Sequence, residues 1–589
     1  MSFRNLADFP FNNQPNTAIS DGGWYVVAGR TVEALAGGDT IIGISGAGNV
    51  GIQIDGTLDT GSGNDIVLGK SDGEYGIYNL GTLTGGRGNE NIRGFGKGIG
   101  FVNVGYIDTG IGEDVIEGNI NQDGNEVDGF GIYNVGFIAT GSGNDAIRGT
   151  GPDAGIFNDG SIDMGCGADS IEGVGRGGGG IDQEGQFFAT IGILIETQGV
   201  IQLGAGEDTI KGEGDAFGIF ANGTIDGGEG DDFMSGEGGI IGIANATSGV
   251  ITAGKGNDII KGLGGSEGIN NNGTINAGTG NDTIRGEGED YGILNSTFDL
   301  VVVDFLIDGG SGNDSIVGKS ASTGIGNGGN ILGGDGKDSI LGEGGHVGII
   351  NKGTIDGGTG DDSVEGQGGA QQGILNEGRI IGGSGRDTIH GEGKNGSGIL
   401  NGTLELEIGD YFIDGGSGDD TIEGKSDSSA GVYNFGIING GEGNDTITGT
   451  GAIGISNNGL IDGGMGQDTI RGSGTIIGLW NGGTIDTGAG NDVVDALSGG
   501  FFDDGKTYLR DGNDRLLGFG TGEFYGGSGV DKILFGQGIY TISGSSIVSG
   551  DVSMTVNEFE KIGGSKGGVF NFADGTLTVN ANGVATFAA

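Results

Sequence analysis

Aspartate recurs along this 589-residue chain with a regularity that its chemistry can exploit. The pattern Gly-x-Gly-x-Asp places a carboxylate at Asp65, Asp114, Asp145, Asp169, Asp208, Asp232, Asp258, Asp282, Asp314, Asp338, Asp362, Asp387, Asp420, Asp445, Asp468, Asp492 and Asp531, with degenerate copies at Asp39, Glu90 and Asp514. The glycines permit positive φ and let backbone carbonyls converge with no Cβ in the way. If the copies stack, each carboxylate lies over the next, and two of them about 5 Å apart repel by roughly 0.8 kcal/mol even at the dielectric of water. Such a column calls for a cation between its rungs. Carboxylate and carbonyl oxygens are hard ligands, and six to eight of them suit Ca2+ better than Mg2+. The chain has two His and one Cys, so zinc and copper lack their usual ligands. The seventeen Asp of the regular pattern are therefore the candidate metal ligands, for Ca2+ in multiple copies.

The spacing also dictates what positions them. Asp314, Asp338 and Asp362 are 24 residues apart, other steps are 23, 25 or 26, and four longer steps of 31 to 39 read as insertions into one coil. One unit holds the turn Gly357 to Asp362 and three extended pieces, Ser363 to Gly366, Gly373 to Asn376 and Gly378 to Ile381, each rich in β-branched residues bounded by Gly and Asn. Helical spacing of apolar residues is absent from the repeats, so essentially no helix is expected. Strands this short are unstable alone. Stacked in register about 4.8 Å apart they form a parallel β-solenoid (a β-roll or β-helix), with Val364, Ile374 and Ile380 pointing inward. The expected fold is all-β, with about twenty coils, one Gly-rich turn per coil of about 24 residues, and a C-terminal β-hairpin cap. The domain reading is an N-terminal cap over 1–35, the solenoid over 36–500, degenerate last repeats over 501–535 and the C-terminal cap over 536–589.

Repeated Asn at 79, 103, 134, 158, 351, 376, 434 and 457 predicts an amide ladder at one corner. The insertions are expected between that corner and the next turn. Two of them, Phe298 to Ile307 and Thr403 to Ile413, are rich in apolar residues and read as strand extensions that thicken one face. From Gly526 onward the sequence suggests short hairpin strands with turns at Asp574-Gly575 and Asn582-Gly583, covering the open end of the stack.

Composition narrows the partners. Glycine supplies 150 residues, about a quarter of the chain against a usual share of roughly 7%, which rules out ordinary helical or sheet domains. Three prolines and no Gly-X-Y period exclude collagen. Asp and Glu total 80 against 26 Lys and Arg, and the net charge of −54 repels nucleic acid and anionic lipid while attracting cations. No run of eighteen apolar residues occurs, so no membrane insertion is expected. Cys166 alone makes no disulfide framework. Met1 to Ser20 has no apolar core segment, so a cleavable Sec signal is not expected.

The segment Gly415-Gly416-Ser417-Gly418-Asp419-Asp420-Thr421-Ile422-Glu423 resembles the calcium-binding nonapeptide of the RTX (repeats-in-toxin, haemolysin-type) proteins. The resemblance runs from about Gly37 to Phe535. It implies Ca2+ between successive turns, with Asp314 and the carbonyls of Gly309 to Asn313 sharing an ion with the turn that ends at Asp338. The familiar β-roll has two such loops per coil; here one nonapeptide per 24 residues implies a single calcium column and a wider coil. Glu90 and Asp514 depart from the pattern. The C-terminal segments Tyr540-Thr-Ile-Ser, Phe559-Glu-Lys-Ile and Phe570-Asn-Phe-Ala-Asp-Gly are similar to cyanobacterial members of that family, which implies an uncleaved C-terminal signal for type I secretion and an extracellular or cell-surface location. Calcium would then couple folding to compartment, since ion binding adds to folding free energy.

Catalytic patterns largely fail. There is no His-Glu-x-x-His; Gly69-Lys70-Ser71-Asp72-Gly73 satisfies Gly-x-Ser-x-Gly without the strand-turn-helix setting, and Gly-Lys-Ser at 69, 318 and 424 lacks the glycine spacing of a phosphate loop. His390 reads as solvated. No enzyme is expected. The function expected is a secreted, Ca2+-stabilised structural or cell-surface and matrix scaffold, with cell-surface polysaccharide or self-assembly as further partners. The alternatives are an adhesin, and a carbohydrate-binding or carbohydrate-active solenoid of the lyase or epimerase class. Thr224, Thr274, Thr354 and Thr484 are in phase, but Phe137, Ser161 and Arg379 occupy that place in other coils, which weakens a match to an ice lattice.

Overall fold

A computed structural model describes residues 3–48, 50–120, 129–177, 190–297, 304–403 and 411–589. The chain is an all-β parallel β-solenoid of about 21 turns; the one helical element among the described residues is the short 3-10 turn Leu6–Asp8. It divides into two compact units, Met1–Glu289 with Phe305–Gly310, and Asp290–Asp304 with Ser311–Ala589.

In the second unit a coil runs through Thr354–Thr359, then the Gly-rich turn, then Ser363–Gly368, then Ile374–Asn376, and the next coil opens with Arg379–Ser384. Each strand pairs in parallel with its counterpart one coil on: Ile355 faces Ile380, Val364 faces Ile389, and Ile374 faces Ile399. The strand before the turn builds one sheet, and the two strands after it build the other. Inward positions alternate along each strand, so Ile355, Val364, Ile374 and Ile380 are all buried and stack as β-branched ladders. Burying each such side chain contributes about 1.5–3 kcal/mol, which offsets the entropy of ordering so glycine-rich a backbone. The first unit repeats the design, as in Thr224–Glu229, Phe233–Gly238 and Ile241–Asn245.

The corner ladder is present and longer than the sequence suggested. In the first unit the Asn79 side-chain N–H donates to Asn103 Oδ1, and Asn103 in turn to Asn134, at 2.8 Å each. In the second, Asn295, Asn327, Asn351, Asn376, Asn401, Asn434, Asn457 and Asn481 form one series. Ile195 and Ala221 take the Asn place in two coils of the first unit.

Three details differ from expectation. The insertions do not share one place: two fall before the Asn corner, between Val115–Ile120 and Phe130–Asn134 and between Ser170–Gly175 and Ile191–Ile195. The other two fall after it. Extra residues are tolerated at either bend because neither bend carries the Asp turn. The proposed extensions lie largely outside the described residues, and the strands that follow, Leu306–Ser311 and Phe412–Ser417, have the usual six residues. Residues 1–35 already supply coil strands, with Arg4–Asn5 parallel to Trp24–Val26 and Thr17–Ser20 parallel to Thr40–Ser45.

At the C-terminal end, Val552–Asn557 and Lys561–Gly564 are not a hairpin pair. They form one more rung, parallel to Glu523–Tyr525 and Lys532–Phe535. Antiparallel partners then cover that rung: Ser546–Ser549 on Val552–Asn557, and Gly567–Asn571 on Lys561–Gly564. A turn at Asn582-Gly583 joins Gly575–Val579 to Ala585–Ala588. Asp574-Gly575 is instead a crossing between sheets, where Asp574 Oδ1 accepts from the Gly544 N–H at 2.7 Å.

Candidate metal centre

Each Gly-rich turn delivers its Asp to the inside of the coil, and the seventeen aspartates fall into one column per unit. In the first unit the backbone N–H of Asp114 donates to Asp145 Oδ1, Asp145 to Asp169, Asp169 to Asp208, Asp208 to Asp232, Asp232 to Asp258 and Asp258 to Asp282, over 2.6–2.9 Å. Asp65 receives the Asp39 N–H at 2.6 Å, and Asp39 itself receives the Asn16 N–H. In the second unit the series runs Asp314, Asp338, Asp362, Asp387, Asp420, Asp445, Asp468, Asp492, Asp514 and Asp531 at 2.7–2.8 Å. The Asp531 N–H then donates to Glu560 Oε2. Sequence reasoning missed Glu560 because Phe559-Glu560-Lys561-Ile562 carries no turn glycines. Asp39 and Asp514 stand in the columns despite their imperfect turns.

That bond uses one carboxylate oxygen per rung. The other, Oδ2, is buried without a hydrogen-bond partner at Asp232, Asp338, Asp362, Asp387, Asp420, Asp445 and Asp468, among others. A buried charged oxygen left unpaired costs more than about 1–3 kcal/mol, and its repetition on rung after rung marks a missing ligand rather than a local defect.

The space beside that oxygen is glycine-shaped. A Cβ placed on Gly357 would stand 2.4 Å from the carbonyl O of Gly382 in the next coil and 2.9 Å from Asp362 Oδ2. At Gly382 the same two distances, to Gly415 O and Asp387 Oδ2, are 2.4 and 2.8 Å. The cradle is thus lined by a carboxylate from one rung and a carbonyl from the next, the hard oxygen set that Ca2+ selects. No group of three or more His, Cys, Asp or Glu converges among the described residues. This fits a site that takes one acidic ligand per rung and finds its others on the backbone.

Electrostatics agree. Burial is the largest cause in every case and lifts Asp338 and Asp445 to about 6, and Asp232, Asp387 and Asp468 to about 7. The donated N–H opposes the rise, and the neighbouring rung carboxylates add to it. At Glu90 burial and the adjoining Asp114 carboxylate push the side chain well above the usual range. The metal-free column therefore demands a positive partner, either a proton or a cation.

Other singled-out residues lie elsewhere. Ser71 is buried at a strand end, where its Oγ accepts from Ser45 Oγ and from the Gly73 N–H. His390 is packed rather than solvated; it lies between Glu365 and Glu423 in register, with Nδ1 3.2 Å from Glu423 Oε2. The Thr series is broken by Val250, between Thr224 and Thr274, and by Arg379, beside Thr354. A groove of about 750 Å3 in the second unit is lined by Lys319, Glu343, Gln367, Glu392, Lys425 and Thr450, one per coil, over a glycine floor.

No protein-family model matches the chain, and no curated protein does. Among solved structures, a hyperactive, Ca2+-dependent, β-helical antifreeze protein from an Antarctic bacterium is similar over 86% of this chain and 88% of its own, at 16% identity and a TM-score of 0.23. A score that low is no ground for carrying its properties across, so calcium here stands on the orphaned carboxylates.

Proposed function

We propose that this chain is an RTX-like calcium-binding repeat protein that acts, outside the cell, as a Ca2+-stabilised structural or cell-surface scaffold. The observation that carries the reading is the unpaired Oδ2 repeated rung after rung beside an oxygen-lined cradle. Asp65, Asp114, Asp145, Asp169, Asp208, Asp232, Asp258, Asp282, Asp314, Asp338, Asp362, Asp387, Asp420, Asp445, Asp468, Asp492 and Asp531 are the pool from which its ligands are drawn. Bound calcium would neutralise the column and tie each coil to the next; it would supply stability rather than catalysis. Export by a C-terminal, type I route suits a chain that stays unfolded at low cytosolic Ca2+ and folds where the ion is plentiful. The test is to wash cells of the source with and without a chelator and to follow the protein by immunoblot. Recovery from the surface or medium, with release by chelator, supports the scaffold; retention inside the cell overturns it.

A second reading, an adhesin for an uncharged glycan, is favoured by the groove over Lys319 to Thr450. Its side chains alternate donors and acceptors at one per coil, a spacing close to the length of one hexose in an extended chain. Binding to a glycan array by the calcium-loaded protein checks it.

A further inference from the structure

We infer that calcium enters only the rungs whose six-residue turn begins with glycine, and that rungs beginning with threonine, alanine, leucine or methionine are closed to it. The inference rests on the calcium reading above and adds to it which rungs take the ion.

The deciding residue stands five before the Asp, and it points inward. Thr60, Thr109, Thr140, Met164, Leu203, Thr487 and Leu509 occupy this place, and all are 0–2% exposed. Their side chains fill the cradle that glycine leaves open. Threonine does more than fill it. Thr109 Oγ1 donates to the Thr140 carbonyl at 3.0 Å, Thr140 Oγ1 to the Met164 carbonyl at 2.7 Å, and Thr487 Oγ1 to the Leu509 carbonyl at 2.7 Å. Each acceptor is the first-position carbonyl of the next coil, the counterpart of Gly382 O above Gly357. The hydroxyl proton thus lies where the ion's charge would lie. Leucine and methionine put an alkyl chain there and alanine a methyl. Gly85 also heads a turn, but that turn ends at Glu90 in place of the Asp.

The open rungs are not scattered. Gly309, Gly333, Gly357, Gly382, Gly415, Gly440 and Gly463 head the seven successive turns that end at Asp314, Asp338, Asp362, Asp387, Asp420, Asp445 and Asp468. From Gly333 to Gly463 the cradle is uniform, 2.4–2.5 Å to the carbonyl of the next coil. Gly227, before Asp232, is the one glycine heading a turn that ends in Asp between Ala34 and Ala277, and Gly526, before Asp531, follows the run. In the first unit Ala34, Thr60, Thr109, Thr140, Met164, Leu203, Ala253 and Ala277 fill the rest.

The experiment counts ions on the full chain by native mass spectrometry and equilibrium dialysis with Ca2+ as the probe. It then maps hydrogen exchange with calcium and with chelator. The expected count is about six to nine ions per chain, with chelator-induced loss of protection concentrated between Gly309 and Asp468. A count above about a dozen, or loss of protection spread evenly over both units, overturns the inference and leaves the calcium reading standing. No bound calcium at all overturns the calcium reading itself. Gly415→Thr should remove one ion and Thr140→Gly should add one; the second variant relieves a cradle rather than crowding it, so it answers even if the first fails to fold. An unchanged count in Thr140→Gly overturns the inference.

Discussion

Stripping calcium at about pH 8 should unfold the run of glycine-headed rungs, and acid alone should restore it. In the metal-free fold burial holds Asp338 and Asp445 at about 6 and Asp232, Asp387 and Asp468 at about 7, whereas an Asp in an unfolded chain titrates near 3.9. Between those values the folded chain holds protons that the unfolded chain has released. Stability of the metal-free fold is therefore highest below about pH 4, falls as pH rises through the window, and is lowest above about pH 7. A shift of two to three units corresponds to about 3–4 kcal/mol for a single rung, and neighbouring rungs share their mutual repulsion, so the penalties do not simply add. A few such rungs are nevertheless comparable with the whole stability of an ordinary domain, about 5–15 kcal/mol. The assay is far-UV circular dichroism with thermal melts, with and without chelator, at about pH 5, 6.5 and 8. The β signal should be lost with chelator at the highest pH, regained without calcium at the lowest, and the calcium midpoint should rise as protons compete. A chelated protein at about pH 8 with the same signal and melting temperature as the calcium-loaded one would refute the reasoning.

Asp387→Asn keeps an oxygen for the Asp362 N–H but removes the charge; it should lower the calcium count yet raise the melting temperature in chelator at about pH 6.5, a reversal read from paired melts. Asn351→Ala breaks the ladder where its side-chain N–H donates to Asn376 Oδ1 and to the Arg379 carbonyl, and should cost about 2–3 kcal/mol in urea unfolding with little effect on calcium affinity. Gly360→Ala forces a side chain onto a residue at φ +128°, with its Cβ far inside contact distance of the Gly336 carbonyl O (1.6 Å), and should open that coil, seen as local loss of exchange protection.

Period and polarity were legible in the sequence because stacking makes them unavoidable. A 24-residue step with Ile355, Val364 and Ile374 at matching places has one low-energy arrangement, and the Asp column follows from it. The Asn ladder was legible for the same reason, since a buried amide needs hydrogen-bond partners and its copy one coil on supplies one. Less legible was where a coil tolerates extra residues, because both bends flanking the Asn corner are free of the metal turn and either can lengthen. The rung at Val552–Asn557 and Lys561–Gly564 was hidden because the link between its strands, Glu558-Phe559-Glu560, carries none of the turn glycines; Glu560 reaches the column with one more methylene.

Hardest to see was the role of the first turn position, since glycine, alanine, threonine, leucine and methionine there read as ordinary repeat drift. Only the cradle geometry separates them, through the carbonyl to which Thr109, Thr140 and Thr487 donate. The consequence is thermodynamic. A solenoid with an ion on every rung would fold and fail as one body with calcium. With plugged rungs through most of one unit and a run of open rungs in the other, chelation and pH act on different stretches. At Asp145 and Asp208, whose cradles are filled by Thr140 and Leu203, burial still lifts the carboxyls to about 7 and about 6, opposed by the donated N–H and, at Asp145, by the Thr140 hydroxyl. Those coils should therefore respond to pH and ignore calcium, while the coils from Gly309 to Asp468 respond to both.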